Sequence, residues 1–365
     1  MRHRTPTTPA PALAGLVLLL VAACADASSD AAAAGAHARL PDDEVPRIQR
    51  IEKILGALAA DSMMGRMVGT PEIHEAARFL ASELKRYGVR PAGDEGTYFQ
   101  DVPMARLQGE RRARYRLPSA DLDFDTLDPG AVLHDEANVV GIIPGSDPEL
   151  TQEAVVVGAH YDHVGVRAPV AGDSIYNGAD DDASGTVAVL EIARDLARGQ
   201  PPKRTVVVLL STGEEEGLVG TRWYMEHPVV PLERTVADFQ VEMIGRPDSL
   251  AGGTGRGWLT GYERTTMGDQ LAAAGSPIVP DPRPEMRFFF RSDNLPFALA
   301  GIPAHTLSSY NLHDDYHAPS DEVGKVDFPH MTALVDAAIQ AVRFLADGPT
   351  PEWHEGGRPQ MPTRR

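Results

Sequence analysis

The stretch that decides the fold is AVVVGAHYD, residues 154–162. Its first half is a short run of small and β-branched apolar residues, which predicts a strand buried on both faces. Similar runs occur at residues 138–143, 205–210 and 236–241, and helical periodicity lies between them, most clearly over residues 184–198. Apolar strands that alternate with helices predict an α/β fold of three layers, with helices covering both faces of a mixed, mostly parallel sheet.

Segments on either side of this core extend the pattern. Residues 42–63 and 71–87 carry apolar side chains at helical spacing, and so do residues 329–346. Residues 106–133 are mixed and charged, which indicates an edge hairpin or loops. The sequence after the last helix, residues 349–365, is rich in proline, glycine and charge, and we expect a loose tail there.

Composition limits the class of partner. The chain has 365 residues, 42% of them hydrophobic, with 34 basic and 52 acidic side chains and a formal charge of -18. It is neither disordered nor disulfide-stapled, and its acidic excess argues against nucleic acid or anionic lipid as the main partner.

The N-terminus has the layout of an export signal. Basic residues precede an apolar stretch that is too short to span a bilayer, and VAAC at residues 21–24 resembles the lipobox of bacterial lipoproteins. Cys24 is the chain's sole cysteine, and a plain signal peptide is the alternative. We therefore expect a signal peptide over residues 1–23 and a lipidated, flexible tether over residues 24–40. The implied location is the bacterial cell envelope, at the outer membrane facing the periplasm, with membrane contact only through the lipid.

Polar clusters follow the predicted strands at the point where each one ends. His160 and Asp162 follow the first strand, Glu214 and Glu215 the next, and Glu242 a third. The carboxyl ends of parallel strands share one edge of a sheet, so these side chains are expected to converge there. Imidazole and carboxylate groups without cysteine suit zinc or a similar divalent ion, and their number exceeds what one tetrahedral site needs.

Two further polar segments complete the set. GADDDASG at residues 178–185 opens the clearest helix, and HDDYHAPSD at residues 313–321 precedes the final one. Each cluster alone is more typical of a helix cap, a surface turn or a solvated face. Their joint order and placement at strand ends favour a site.

With these motifs the chain resembles the secreted zinc exopeptidases, a family that includes bacterial leucyl-type aminopeptidases, glutamate carboxypeptidases and glutaminyl cyclases. GAHYD at residues 158–162, GADDDASG at 178–185, EEEGLVG at 214–220 and YHAPSD at 316–321 carry the resemblance, which runs from about residue 51 to residue 346. It implies the phosphorylase/hydrolase-like fold in a single peptidase domain over residues 41–348. The span between Val102 and Val139 is too short for the protease-associated insert of some relatives.

The resemblance also implies a ligand set of two zinc ions per chain. Asp180 would bridge the ions, one of which would also take His160 and Glu242. The other would take Glu215 and His317. Each zinc would then keep room for a shared water.

Roles for the remaining site residues follow from this set. Glu214 would be the general base, because it precedes the ligand Glu215 without binding metal itself. The Asp162 carboxylate would accept the free ring N–H of His160 and orient it. Tyr316 is either an oxyanion donor or a packing aromatic. His163 and His313 are expected to be neighbours of the metals and not ligands.

Two residues depart from the family pattern. Some members have Asp where Glu242 stands, and many have His where Asn294 stands. The resemblance also implies a cis peptide bond between Asp180 and Asp181.

The implied activity is two-metal hydrolysis of N-terminal residues from peptides, with peptides as the substrates. A single-zinc glutaminyl cyclase, a carboxypeptidase and a binding lipoprotein without catalysis are the alternatives. The acidic balance leans towards an aminopeptidase over a carboxypeptidase, because the former must hold an α-amine.

Overall fold

A computed structural model describes residues 45–109 and 113–360. The predicted signal peptide, the tether and Cys24 lie outside the described residues. The described residues from Arg47 onwards form one compact unit.

Seven α-helices lie in the described part of the chain. They are α1 (Arg47–Leu58), α2 (Pro71–Tyr87), α3 (Gly185–Arg198), α4 (Val219–Glu226), α5 (Met267–Ala273), α6 (Asn294–Ala300) and α7 (Phe328–Asp347). Helix α2 matches its prediction, α3 begins one residue later than predicted, and α7 is one residue longer than predicted at each end. Helix α1 is shorter than predicted, because it ends at Leu58 and a separate short 3-10 turn follows at Asp61–Met63.

The strands in the same ranges are mostly short. They are β1 (Arg90–Pro91), β2 (Phe99–Asp101), β3 (Met104–Leu107), β4 (Arg114–Arg116), β5 (Val132–Leu133), β6 (Ala137–Ile143), β7 (Ala154–His160), β8 (Gly165–Val170), β9 (Asp173–Tyr176), β10 (Thr205–Ser211), β11 (Thr235–Val241), β12 (Gly257–Leu259), β13 (Ile278–Pro280) and β14 (Ala304–Ser308). The four apolar runs of the sequence are β6, β7, β10 and β11.

The main sheet is mixed. Its order is β1-β6-β10-β7-β11-β14-β12-β13, with β2 paired to β6. The four central strands β10, β7, β11 and β14 are parallel, and so is the pair β12–β13. On one side of that centre β6 pairs antiparallel with β10, and on the other side β12 pairs antiparallel with β14. The parallel part of the sheet is therefore narrower than the sequence predicted.

Side chains of one strand alternate between two hydrophobic cores, which explains why helices cover both faces. Val155 and Val157 pack into the core that includes Ile51 of α1 and Val187 of α3. Val156 points the other way, into a core shared with α4 and α6. Because successive strand residues face opposite sides, a strand of continuous valines can only be satisfied by a layer on each side. The predicted three-layer α/β/α fold is confirmed.

The segment after α7 differs from its prediction. Residues 349–360 pack on the body of the protein. Trp353 donates from Nε1 to the carbonyl of Gly301 at 2.8 Å, and its backbone forms an antiparallel β-bridge with Thr265. The Arg358 guanidinium donates to the carbonyl of Leu299. The expected loose tail is therefore a packed segment as far as residue 360. The indole of Trp353 and the guanidinium of Arg358 attach this segment to the body, and composition alone does not reveal such single contacts.

None of the helices in residues 45–109 and 113–360 is both long and apolar enough to cross a membrane.

Candidate metal centre

The polar residues that end or follow the central strands lie at one edge of the sheet. His160 is the last residue of β7, and it pairs in register with Ser211 at the end of β10. Glu214 and Glu215 follow β10 within one short turn, and Glu242 follows β11 directly. All four side chains thus meet outside the carboxyl ends of parallel strands, as the sequence predicted.

The aspartate segment enters the same space from a different direction. Residues Ala179–Ser184 form a distorted π-type turn that leads into α3, in which Asp181 and Asp182 depart from helical backbone angles, and Asp180, Asp181 and Asp182 are all buried. The backbone carries a cis peptide bond between Asp181 and Asp182. The resemblance had implied this bond one residue earlier.

Asp181 lies between two groups of ligand atoms. Its Oδ2 is 3.1 Å from Nε2 of His317, and its Oδ1 is 3.4 Å from Nε2 of His160. One group that could hold a metal comprises His163, Asp181, Glu215 and His317, and the other comprises His160, Asp181 and Glu242. Asp181 is the member common to both groups, which makes it the candidate bridge.

Asp180 belongs to neither group, so the structure corrects its predicted bridging role by one residue. Its Oδ1 accepts a hydrogen bond from the amide of Gly245 at 2.7 Å, and its Oδ2 faces Nε2 of His313 at 3.0 Å. Within three consecutive aspartates, sequence spacing cannot tell which carboxylate the π-turn aims at the other ligands.

His163 is a group that the sequence analysis set aside. Its side chain is fully buried, with Nδ1 3.0 Å from Oε1 of Glu215 and 3.9 Å from Oδ2 of Asp181. Its place three residues after His160 was the available signal, but only the turn after β7 brings both rings to one cluster. His313 contacts Asp180 and lies outside both groups.

Unsatisfied atoms show that the cluster suits cations. Nε2 of His160, both ring nitrogens of His163, Oδ2 of Asp181 and Oε1 of Glu215 are buried and lie close to one another, but none has a partner in hydrogen-bond geometry among the described residues. Buried polar atoms are rarely left in this state, and here they converge. Imidazole and carboxylate donors without thiolate fit zinc, and two ions sharing one carboxylate fit the arrangement.

The carboxylates and imidazoles of the larger group shift one another's pKa. Burial and Asp181 push the pKa of the Glu215 carboxyl upwards, but the rings of His163 and His317 hold it at about 2. Burial lowers the pKa of His317, while Asp181 and Glu215 raise it to about 9. The protonated ring of His317 thus offsets part of the negative charge of these carboxylates, and a bound divalent cation would offset it when the ring is neutral.

Glu214 lies beside the cluster without joining either group. Its Oε2 is 4.0 Å from Nε2 of His160. Burial raises the pKa of the Glu214 carboxyl well above its ordinary value, and Glu242 and Glu215 add to the rise although His160 opposes it. A carboxyl with a raised pKa next to ligands, but free of them, is suited to carrying a proton.

Asp162 contacts His160 and the two glutamates, but not through the atoms that the sequence predicted. Its two carboxylate oxygens accept the amides of Glu214 and Glu215 at 3.1 and 3.3 Å. The ring Nδ1 of His160 donates instead to the backbone carbonyl of Asp162 at 3.1 Å, and the carboxylate is 3.6 Å away. Asp162 therefore orients His160 through its backbone and positions the glutamate turn through its side chain.

Two other predicted positions take distinct places. Tyr316 stacks on His317 with ring centroids 4.0 Å apart and lines the cleft over the cluster. Burial raises the pKa of its hydroxyl far above the usual value, so the hydroxyl stays protonated and can donate a hydrogen bond. Asn294 is fully buried and bonds to the carbonyl of Phe289 and the hydroxyl of Thr306. It therefore supports the wall of the cleft and does not line it.

Comparison with known proteins agrees with this geometry. Leucine aminopeptidase 1 of Trichophyton equinum is 28% identical over 311 residues, which cover 81% of this chain and 76% of that protein. A zinc aminopeptidase of Bacillus subtilis superposes with a TM-score of 0.58 at 15% identity, covering 83% of this chain and 96% of the other. A glutaminyl cyclase of Porphyromonas gingivalis superposes with a TM-score of 0.57 at 16% identity over 81% and 97%. At such low identity the two structures show a shared fold only, and the fold serves more than one reaction.

The family itself is decided by sequence. The pattern of peptidase family M28 matches residues 138–342, more than half of the chain, from β6 through most of α7. That range contains both candidate metal groups and Glu214. The chain belongs to peptidase family M28.

Proposed function

We propose that this protein is a zinc-dependent aminopeptidase that holds two zinc ions and removes N-terminal residues from peptides. The observation that carries the proposal is the sharing of Asp181 between two ligand groups, with Glu214 next to both and part of neither. The leucine aminopeptidases among the relatives support the choice of reaction within the family.

His163, Asp181, Glu215 and His317 would hold one ion, and His160, Asp181 and Glu242 the other. When bound, two zinc ions supply Lewis acidity that makes water a nucleophile at neutral pH and polarises the substrate carbonyl.

The remaining steps belong to the side chains. Glu214 takes a proton from the attacking water and passes it to the leaving amine. The hydroxyl of Tyr316, which stays protonated, donates a hydrogen bond to the oxygen that gains negative charge. Asp162 keeps Glu214 in place by accepting its backbone amide at 3.1 Å.

The alternatives differ in what they require. Glutaminyl cyclisation by a single zinc leaves the second group without a use, whereas His160, Asp181 and Glu242 form a complete second set here. A binding protein without catalysis does not need a buried carboxyl with a raised pKa beside the ligands.

The full chain should hydrolyse leucine p-nitroanilide, and a zinc chelator should abolish the activity. Metal analysis should find about two zinc ions per chain, the number that a co-catalytic site holds. Cyclisation of an N-terminal glutamine peptide, or cleavage of a peptide whose amine is acetylated, would each contradict the proposal.

We also propose that the protein is exported and lipid-anchored at Cys24, in the cell envelope. VAAC at residues 21–24 supports this location. Metabolic labelling with a radioactive fatty acid should mark the wild type and not Cys24→Ala. Equal labelling of both chains would contradict the anchor.

A further inference from the structure

The cleft above the metal groups has two chemically different ends. Its volume is about 510 Å³ including the open mouth, and it is lined by the carboxylates of Asp181, Glu214, Glu215 and Glu242 at the cluster. An aromatic wall leads away from them. Tyr316 stacks on His317, Tyr310 lies 5.4 Å from Tyr316 between ring centroids, and Phe288 lies 5.9 Å from Tyr310.

The far end of this wall carries a positive charge. Arg291 lines the cleft, and its guanidinium carbon lies 5.1 Å from the ring centroid of Phe288. The side chain makes no hydrogen bond or ion pair with any residue in the described ranges. Neighbouring arginines are engaged elsewhere: Arg283 binds the carboxylate of Asp248, and Arg246 binds those of Asp315 and Asp321.

A second donor at the same end also lacks a partner. Trp258 lines the cleft, is only 1% exposed and packs on Phe288 with ring centroids 5.2 Å apart. Its indole N–H has no acceptor among the residues that the structure describes. A buried donor of this kind is expected to find an acceptor, and a ligand in the cleft can supply one.

The positive charge of Arg291 acts on the hydroxyl of Tyr310 inside the cleft. Burial raises the pKa of the Tyr310 hydroxyl, and Arg291 is the strongest influence in the opposite direction. Among the described residues that line the cleft, Arg291 is the one arginine or lysine, and it faces the carboxylates of the metal groups. A guanidinium with free N–H groups matches the two oxygens of a carboxylate.

We propose that Arg291, with Trp258 beside it, binds a carboxylate of the peptide substrate, so that the enzyme prefers substrates carrying a negative charge at this end of the cleft. The inference rests on the proposed aminopeptidase function and names its substrate class. The carboxylate can come from the C-terminus of a short peptide or from an acidic side chain. In both cases the charge pairs with Arg291, and the apolar part of the substrate lies along the aromatic wall.

Two substrate pairs distinguish these sources. Leucyl-glycine against leucyl-glycinamide changes only the C-terminal charge, and glutamyl p-nitroanilide against leucyl p-nitroanilide changes the side chain. The measured quantity is the ratio of kcat/KM within each pair. Both rates come from one preparation, so a partly misfolded variant still gives a valid ratio.

In Arg291→Met the ratio should fall about tenfold for the pair whose charge the arginine binds, the loss expected for one exposed charge-assisted contact. The fall should lie mainly in KM. Arg291→Lys should recover part of the preference. Arg287→Met is the matched control, because Arg287 is exposed four residues away, stacks on Phe290 and lines a different cleft.

A fall for the dipeptide pair assigns the carboxylate to the C-terminus, and a fall for the anilide pair assigns it to the side chain. Unchanged ratios in Arg291→Met, or an equal fall in Arg287→Met, would overturn the proposal. If the wild type hydrolyses none of the four substrates, the proposed function fails. Calorimetric binding of leucyl-glycine against leucyl-glycinamide then still tests the arginine by itself.

Discussion

The assignment of the bridging carboxylate can be tested by exchanging either of two adjacent aspartates for asparagine. Asp181→Asn alters the residue common to both ligand groups, and Asp180→Asn alters its neighbour, which belongs to neither. Both residues are buried and both exchanges remove one negative charge at nearly constant volume. The pair therefore differs in the position of the carboxylate and in little else.

The expected loss of metal affinity in Asp181→Asn follows from the direction in which each carboxylate oxygen of Asp181 points. Oδ1 of Asp181 faces His160 at 3.4 Å and Oδ2 faces His317 at 3.1 Å, so each group uses a different oxygen. Asparagine offers one oxygen, which is neutral, so at least one group loses a ligand outright. Loss of a mere supporting partner costs about 10-fold to 100-fold in metal affinity, and loss of a ligand costs at least as much. We expect a drop of about 100-fold or more, or about 2.7 kcal/mol, at one site or both.

Asp180→Asn should act on stability and not on the metals. Its carboxylate accepts the amide of Gly245 at 2.7 Å and faces His313. An asparagine can keep one acceptor but loses the charge, which costs about 1–3 kcal/mol of unfolding free energy. Its metal content should stay at the wild-type value.

The assay is metal content per chain after equilibration against a graded zinc buffer, together with urea unfolding of the metal-free proteins. Asp181→Asn should retain fewer than two zinc ions at concentrations that saturate the wild type, and its peptidase activity should fall with them. The reasoning is refuted if Asp181→Asn binds zinc as the wild type does, or if Asp180→Asn loses metal to the same extent.

Further predictions concern three other residues. Glu214→Gln should lower kcat about 10²-fold to 10⁴-fold with metal content unchanged, because a general base supplies that factor, and Glu216→Gln in the same turn is its control; substantial residual turnover would exclude Glu214 as the base. Tyr316→Phe should lower kcat about 10²-fold with little change in KM, as the loss of one oxyanion donor does; an unchanged kcat would leave Tyr316 a packing residue. Burial lowers the pKa of His305 to about 4, whereas the unfolded value is about 6.5, so the folded state binds fewer protons between these limits. Stability should therefore be full above about pH 6.5 and fall by about 3 kcal/mol as the pH drops to about 4. His305→Asn should lose this component of the urea-unfolding pH profile, and an identical profile in both proteins would contradict it.

The sequence predicted the fold well where its signals are local. The valines of β7 and β10 alternate between two cores, and a short run of β-branched residues without polar residues is typical of a strand covered on both faces. Helix α2 was placed correctly because its apolar residues recur at helical spacing, and in the structure Pro71 stands in its first turn and Gly88 ends it in the left-handed conformation. The segment after α7 was misjudged, since its docking depends on single contacts made by Trp353 and Arg358.

The same distinction between local signals and tertiary contacts applies to the candidate site. Polar residues at the ends of β7, β10 and β11 were identifiable from the sequence, because parallel strands bring their carboxyl ends to one edge. The choice among Asp180, Asp181 and Asp182 was not, because three identical side chains in one turn differ only in direction. His163 was missed for a related reason: a residue three positions beyond a strand can return to the cluster or leave it.

By itself, then, the sequence determined the layers of the fold, the edge of the sheet that carries the chemistry and the chemical type of the ligands. These depend on periodicity and residue type, which are properties of the chain. The tertiary structure alone decided which aspartate lies between the two groups, that Asp162 orients His160 through its backbone, and that Arg291 faces the same cleft as the carboxylates. Those facts depend on backbone direction at turns and on contacts between distant segments, which no local pattern encodes.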